Sequence, residues 1–255
     1  MTFCLRITLA CLVCFSCPTD LLAQAPTLGY VFPPAIQRGT TTEVQLGGFD
    51  LTPDMQVFVH SSPANLSLTG PLGKHLVPPR PYWEGPRIFS SALPLPREIP
   101  ARLQLADDHP AGLVFWQMAN ANGATGTATF LVSEHQEVTE QRFRDMPMPI
   151  ETLPIGISGR LSKLTEKDLY QLYSDVDQTI TLDCWARRLG SDINVALQVY
   201  SSDEKQLIDE VDTEGRDLSC SFVAKAGETY TIVIHEADFR GAAHFVYRLG
   251  ISSNN

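Results

Sequence analysis

The sequence predicts an all-β protein, two β-sandwiches in tandem after a signal peptide, and three observations predict it. Short runs alternate apolar and polar residues, as in Thr42-Glu43-Val44-Gln45-Leu46, Gln56-Val57-Phe58-Val59-His60 and Thr179-Ile180-Thr181-Leu182-Asp183-Cys184. That is the period of a strand with one buried face. Clusters of Gly, Pro, Asn and Asp punctuate the runs. No capped stretch keeps a helical period beyond about two turns.

The first 25 residues, MTFCLRITLACLVCFSCPTDLLAQA, carry a positive charge at Arg6, an apolar run from Ile7 to Phe15, and small residues ending Ala23-Gln24-Ala25. The pattern is that of a signal peptide, its apolar run too short for a permanent membrane span. Pro26 obstructs cleavage directly after Ala25, which leaves a cut after Ala23 as the alternative. Cys17 follows Cys14-Phe15-Ser16, a poor match to a lipidation site. No later segment has the apolar length of a membrane helix, so the mature chain is expected in the periplasm, at the cell surface or outside the cell, with no transmembrane segment. The 29 acidic and 19 basic residues give a net charge of -10, with no Lys/Arg stripe to follow a phosphate backbone. Nucleic acid is not an expected partner.

Residues 26–133 hold the first group of strands, ending Gly126-Thr127-Ala128-Thr129-Phe130-Leu131-Val132. Between Pro71 and Pro100 lie eight of the chain's 18 prolines, centred on Pro78-Pro79-Arg80-Pro81-Tyr82-Trp83-Glu84-Gly85-Pro86-Arg87. Proline fixes φ and removes ladder donors, so about 71–100 reads as an extended insertion. Tyr82 and Trp83, flanked by Arg80 and Arg87, would present rigid aromatics to a glycan or a partner chain, or fold back over the sandwich. Residues 134–152 read as a linker around Met146-Pro147-Met148-Pro149, residues 153–251 as the second sandwich, and 252–255 as a tail.

In the second group, Ile180, Leu182, Cys184 and Ala186 share one strand face, and Leu189-Gly190-Ser191-Asp192 supplies turn residues. The stretch reads as a strand turning a corner, with Arg187 and Arg188 paired internally to an acid such as Asp212 or Glu214. Glu210, Asp212, Glu214 and Gly215 begin like a calcium loop, but the position of its bidentate Glu is Ser221, so a solvated turn is expected. Cys184 and Cys220 are the two cysteines left after signal removal. Alternation points both toward the core, either as one disulfide or as two buried free thiols. Tyr230, Ile232 and Ile234 face one way, as do Phe245, Tyr247 and Leu249, which suggests a hairpin turning through Asp238-Phe239-Arg240-Gly241. That register sets His235 opposite His244, where the imidazoles would share a zinc ion with Asp238 or Glu236, or stand as unliganded surface histidines. No nucleophile elbow, H-E-x-x-H, C-x-x-C or P-loop pattern occurs, and no enzymatic activity is expected.

Residues 27–59, with FPPAIQRGTTTEVQLGGFDL, resemble immunoglobulin-like modules near the N-termini of large secreted bacterial proteins, particularly those of planctomycetes. Residues 155–251 resemble the bacterial pre-peptidase C-terminal (PPC) domain. The matching pieces are Gly159-Arg160-Leu161, Ala186 to Asp192, Val211 to Asp217, Phe239-Arg240-Gly241 and Tyr247-Arg248-Leu249. The resemblance implies an Ig-like sandwich followed by a jelly-roll-like one, of the kind appended to exported peptidases. Some related domains bind calcium through carboxylates of the lead-in segment. Here the usual Glu-Pro-Asn-Asp is replaced by Val138 to Asp145, and Gly-Asp-x-Asp by Glu166-Lys167-Asp168-Leu169-Tyr170. The expected function is a non-enzymatic exported binding or scaffolding module meeting a protein or glycan outside the cell. The alternative is an accessory component of a secreted peptidase or hydrolase system.

Overall fold

A computed structural model of the chain describes residues 24–60, 63–77, 95–141, 146–212 and 215–254. Most of the segment expected to be a signal peptide and the whole stretch from Arg80 to Arg87, with Tyr82 and Trp83, lie outside the described residues. Among the described residues no helix is long and apolar enough to cross a membrane.

Residues 27–133 fold into β1 (Thr27–Phe32), β2 (Ala35–Gln37), β3 (Thr41–Phe49), β4 (Gln56–Val59), β5 (Asn65–Leu68), β6 (Arg97–Gln104), β7 (Gly112–Asn120), β8 (Gly123–Ala124) and β9 (Ala128–Ser133). One sheet runs β1-β3-β6-β5 and the other β2-β9-β7-β4, with β8 on β7. On β3, Val44 and Leu46 are buried while Thr41 and Glu43 are exposed, as the alternation requires. The two inner faces meet over Val31, Ile36, Leu46, Leu103, Trp116 and Phe130. The proline-rich insertion is shorter than its sequence signature. Pro100 lies in β6 opposite Gln45, and Leu76 donates its N–H to the Pro96 carbonyl, so the two flanks run side by side.

The second sandwich comprises β10 (Gln136–Thr139), β11 (Met148–Ile150), β12 (Ile155–Arg160), β13 (Lys167–Ser174), β14 (Gln178–Trp185), β15 (Val195–Ser201), β16 (Gln206–Val211), β17 (Leu218–Ala224), β18 (Glu228–Glu236) and β19 (Val246–Asn254). Its sheets run β10-β12-β19-β14-β17 and β11-β13-β18-β15-β16. The core between them includes Ile157, Tyr170, Leu182, Cys184, Leu197, Ile232, Tyr247 and Leu249.

Three expectations are corrected here. The segment 134–152 is not a free linker: β10 pairs in parallel with β12, Gln136 opposite Ile155, and β11 with β13, Met148 opposite Tyr170. Both are edge strands with one neighbour each. Edge strands tolerate residues such as Pro149 and show little alternation, which is why they read as linker. The tail is not free, since Ser252, Ser253 and Asn254 continue β19 opposite Thr181, Ile180 and Thr179. Finally, β18 and β19 face the same core as expected but from opposite sheets, so they form no hairpin. Alternation reports which face a residue takes, never which strand it pairs with.

The arch from β18 to β19 is held by Glu236, which accepts from the Asp238 and Arg240 N–H groups and from the Arg240 guanidinium. At Gly241 a Cβ would overlap the backbone of Lys163. Gly241→Ala is therefore expected to lower the unfolding free energy by an amount at the upper end of about 1–3 kcal/mol, because backbone cannot move aside as a side chain can. Urea denaturation checks it.

The two sandwiches meet at a polar clamp. Arg160, at the end of β12 and 4% exposed, ion-pairs with Glu98 of β6 at 2.9 Å, and its guanidinium lies 4.2 Å from the centre of the Phe32 ring. Tyr30 donates to the same Glu98 carboxylate at 3.0 Å. Beside it His244 packs edge-on against Phe49 and Phe245, where burial pushes its imidazole down to about 4, so it is neutral. A second contact joins Ala35 and Leu131 to Leu189, flanked by Leu113 and Trp185, and Thr129 donates to the Arg188 carbonyl at 2.8 Å.

Candidate functional site

The outward positions of β13, β18 and β15 carry a chemistry unlike the rest of this acidic chain. Antiparallel register sets Gln171 opposite Thr231 and Thr231 opposite Tyr200 in one row, with Tyr173 opposite Thr229 in the next. A groove with a cavity volume of 650 Å³ lies over them, lined by Gln171, Tyr200, Ser201, Ser202, Glu204, Thr229 and Thr231. That volume falls within the range of small-molecule sites. Tyr200 is pinned: its hydroxyl donates to Gln198 Oε1 at 3.1 Å, two residues back on the same face, and Gln198 Nε2 donates to Asp209 at 3.1 Å. A hydroxyl reaching back along its own strand lays the ring along the sheet. Tyr173, 61% exposed, stands on the far side of β18. Ser202 donates to Glu228 at 2.7 Å, and among the described residues Glu204 is the one charged side chain lining the groove.

A second, smaller cavity of 330 Å³ opens at the end of the sandwich near Glu140, Lys163, Glu166, Asp168 and Tyr170. The Tyr170 and Tyr247 hydroxyls are 2.5 Å apart, Tyr247 donates to Asp168 Oδ2 at 2.6 Å, and both hydroxyls lie 3.4 Å from Glu140 Oε2. Glu140 Oε1 accepts the Arg160 N–H at 2.7 Å. Burial, and then the neighbouring Glu140 carboxylate, push Asp168 up to about 9, and burial raises both tyrosines as well. Asp168 is thus a neutral acid at pH 7, hydrogen-bonded to Glu140. Glu166 is occupied with the Lys163 N–H and the Ser162 hydroxyl. Calcium requires six to eight oxygens and charged carboxylates, and this donor set, with one acid protonated and the others committed to N–H groups, does not fit it. Among the described residues no group of three or more His, Cys, Asp or Glu is placed to hold a metal ion.

No protein-family model matches the sequence, and no curated protein matches it. Similar solved structures include the pre-peptidase C-terminal domain of a Bacillus anthracis collagenase, with 15% identity and a TM-score of 0.35 over 44% of this chain and 100% of that one. Aeromonas hydrophila PliG, a periplasmic inhibitor of g-type lysozyme, matches at 15% identity and TM-score 0.33 over 47% of this chain and 98% of its own. The secreted serine protease VesC from Vibrio cholerae matches at 10% identity and TM-score 0.31 over 86% of this chain and 49% of its own. At these scores the likeness says nothing about a ligand.

The zinc pair is overturned. His235 stands in β18 opposite Lys167 and Ala196, stacked on Phe239 at 5.2 Å with its Nδ1 on the Glu236 carbonyl, while His244 sits in the joint between sandwiches. Asp238 is exposed on the arch. The disulfide is overturned too. Cys184 lies opposite Leu218 and Cys220 opposite Leu182, diagonal positions on neighbouring strands, and both thiols are free. Diagonal neighbours lie about 7–8 Å apart, more than the usual Cα separation of a disulfide. Burial raises both thiols, Cys220 to about 11. For the chain lacking residues 1–25, native alkylation at pH 8 is therefore expected to leave Cys184 unmodified and Cys220 slow, with two thiols counted after unfolding and no change in melting temperature on adding reductant.

Arg187 and Arg188 do pair internally, with different acids. Arg187 bonds Asp192 and Asn194, and Arg188 meets Asp217 at 3.5 Å. The corner is a 3-10 turn, Arg187–Leu189, ended by Gly190 at φ 79° and capped by the buried Asp217 carboxylate on the Ala186 and Arg187 N–H groups. Asp212 is not part of a solvated turn. It is buried and accepts the Arg216 and Asp217 N–H groups.

Sequence reading missed both cavities. The signal for the groove was the outward phase of β13, where Leu169, Gln171 and Tyr173 put apolar, amide and aromatic groups where charge is expected. The signal for the other was Asp168, an acid in phase with the buried Tyr170 and Leu172.

Proposed function

We propose that the chain is an exported, non-enzymatic binding module that holds a ligand on the outer face of the β18 sheet, with the first sandwich fixed to it as a rigid support. The observation that carries this reading is the Tyr200 groove. It is an open groove of ligand size, set on interior strands whose backbone is already paired, and lined by hydrogen-bonding groups of which Tyr200, Ser201 and Ser202 are already held by neighbours. The titratable groups in the other cavity are tied to backbone and to one another, which suits stability rather than turnover. The signal-peptide pattern expected of the first 25 residues supports a binding partner in the cell envelope or beyond it.

The test is co-sedimentation of the labelled mature chain with isolated cell envelopes and extracellular matrix. The wild type is expected in the pellet, and Tyr200→Ala is expected to shift at least tenfold toward the supernatant. Equal partitioning of the two proteins contradicts the reading.

A further inference from the structure

We infer that the Tyr200 groove is a subsite for a neutral polysaccharide, an inference that rests on the binding-module reading and names its ligand class. A sugar ring offers an apolar C–H face and a rim of uncharged hydroxyls. The groove offers the matching pair: a Tyr200 ring laid along the sheet, and around it the amide of Gln171 and the hydroxyls of Thr229, Thr231, Ser201 and Ser202. The Gln171 amide and the Thr229 and Thr231 hydroxyls can both donate and accept, as a rim of hydroxyls needs, while Ser201 and Ser202, whose O–H groups serve Asp203, the Lys205 carbonyl and Glu228, are left to accept.

Tyr173 extends the platform. It lies on the strand beyond β18, two strand spacings from Tyr200, on the order of 10 Å, and it is exposed. Two aromatic rings so spaced suit successive units of a chain rather than one monosaccharide.

Charge selects within the class. Among the described residues the groove has no basic side chain and one acid, Glu204, lines it, Glu228 flanks it, and the whole chain carries -10, so uronic or sulfated polymers meet repulsion. The position selects against peptides. Extended peptides are commonly held by adding a strand at a sheet edge, whereas the groove lies over β13, β18 and β15, whose neighbours on both sides are in place.

The experiment is affinity electrophoresis of the mature chain in gels containing soluble neutral polysaccharides (a β-glucan, a xylan, a galactomannan and a dextran), with alginate as the anionic control. At least one neutral polymer is expected to retard the wild type, and alginate not to. Tyr200→Ala is expected to weaken that retardation at least tenfold and Tyr200→Phe, which keeps the ring, by no more than about threefold, an aromatic platform being the main contact. Thermal melts of both variants report whether the fold is intact, and Thr231→Lys, on the exposed face beside Tyr200, gives an independent block. Retardation by none of the neutral polymers, or equal retardation by alginate, overturns the inference. Tyr200-dependent co-sedimentation with envelopes in that case leaves the binding-module reading standing, and its loss removes both.

Discussion

Arg160→Ala is expected to lower the unfolding free energy by about 3–5 kcal/mol, the cost of breaking a buried ion pair by removing one partner. Glu98 is 15% exposed and, among the described residues, would keep the Tyr30 hydroxyl as its side-chain donor. The same change removes the guanidinium from the Phe32 and Tyr30 rings, which belong to the other sandwich. The expected signature is thus more than a lower midpoint. Calorimetry should show one cooperative transition for the wild type and two for the variant, as each sandwich melts on its own core. Arg160→Lys, which keeps charge but loses the fork, should fall between. A single transition in Arg160→Ala with an unchanged midpoint contradicts a rigid joint.

Asp168→Asn is expected to remove much of the pH dependence of stability above the carboxylate range. The folded acid titrates near 9 against 3.8 unfolded, so between these values the folded state holds a proton that the unfolded chain has released. Stability from this group is complete below about pH 4 and is lost as pH rises toward 9, with a slope of up to about 1.4 kcal/mol per pH unit for one proton. Asparagine is neutral throughout, and its carbonyl still accepts from Tyr247 while its amide can donate to Glu140. Urea unfolding at pH 5, 7 and 9 should show the wild type weakening relative to the variant at each step. Parallel curves would mean that Asp168 is ionised in the fold.

Face assignments were legible in the sequence and pairings were not. Ile180, Leu182, Cys184 and Ala186 are all fully buried, as alternation required, and Tyr230, Ile232, Ile234, Phe245, Tyr247 and Leu249 all reach the core. Yet the same pattern fits a hairpin and a crossover equally, because period-2 alternation carries no information about the neighbouring strand. The arch depends instead on Glu236 gathering the Asp238 and Arg240 N–H groups and on Gly241 meeting the Lys163 backbone, contacts that an alternation pattern does not record. The edge strands β10 and β11 were hidden for a related reason, their stability coming from one neighbour rather than from a strong pattern of their own. The groove is a product of three strands brought together from residues 167 to 236, so its parts appear in the sequence only as scattered outward-facing Tyr, Gln and Thr.

The most direct test of the central claim compares two candidate surfaces in one binding assay. Envelope and matrix association is measured for the mature wild type, for Tyr200→Ala, and for a Tyr82→Ala/Trp83→Ala double variant in the proline-rich stretch. A binding surface on the β18 sheet predicts at least a tenfold loss for Tyr200→Ala and near wild-type association for the double variant. Loss in the double variant with full retention by Tyr200→Ala would place binding on the proline-rich stretch and contradict the claim.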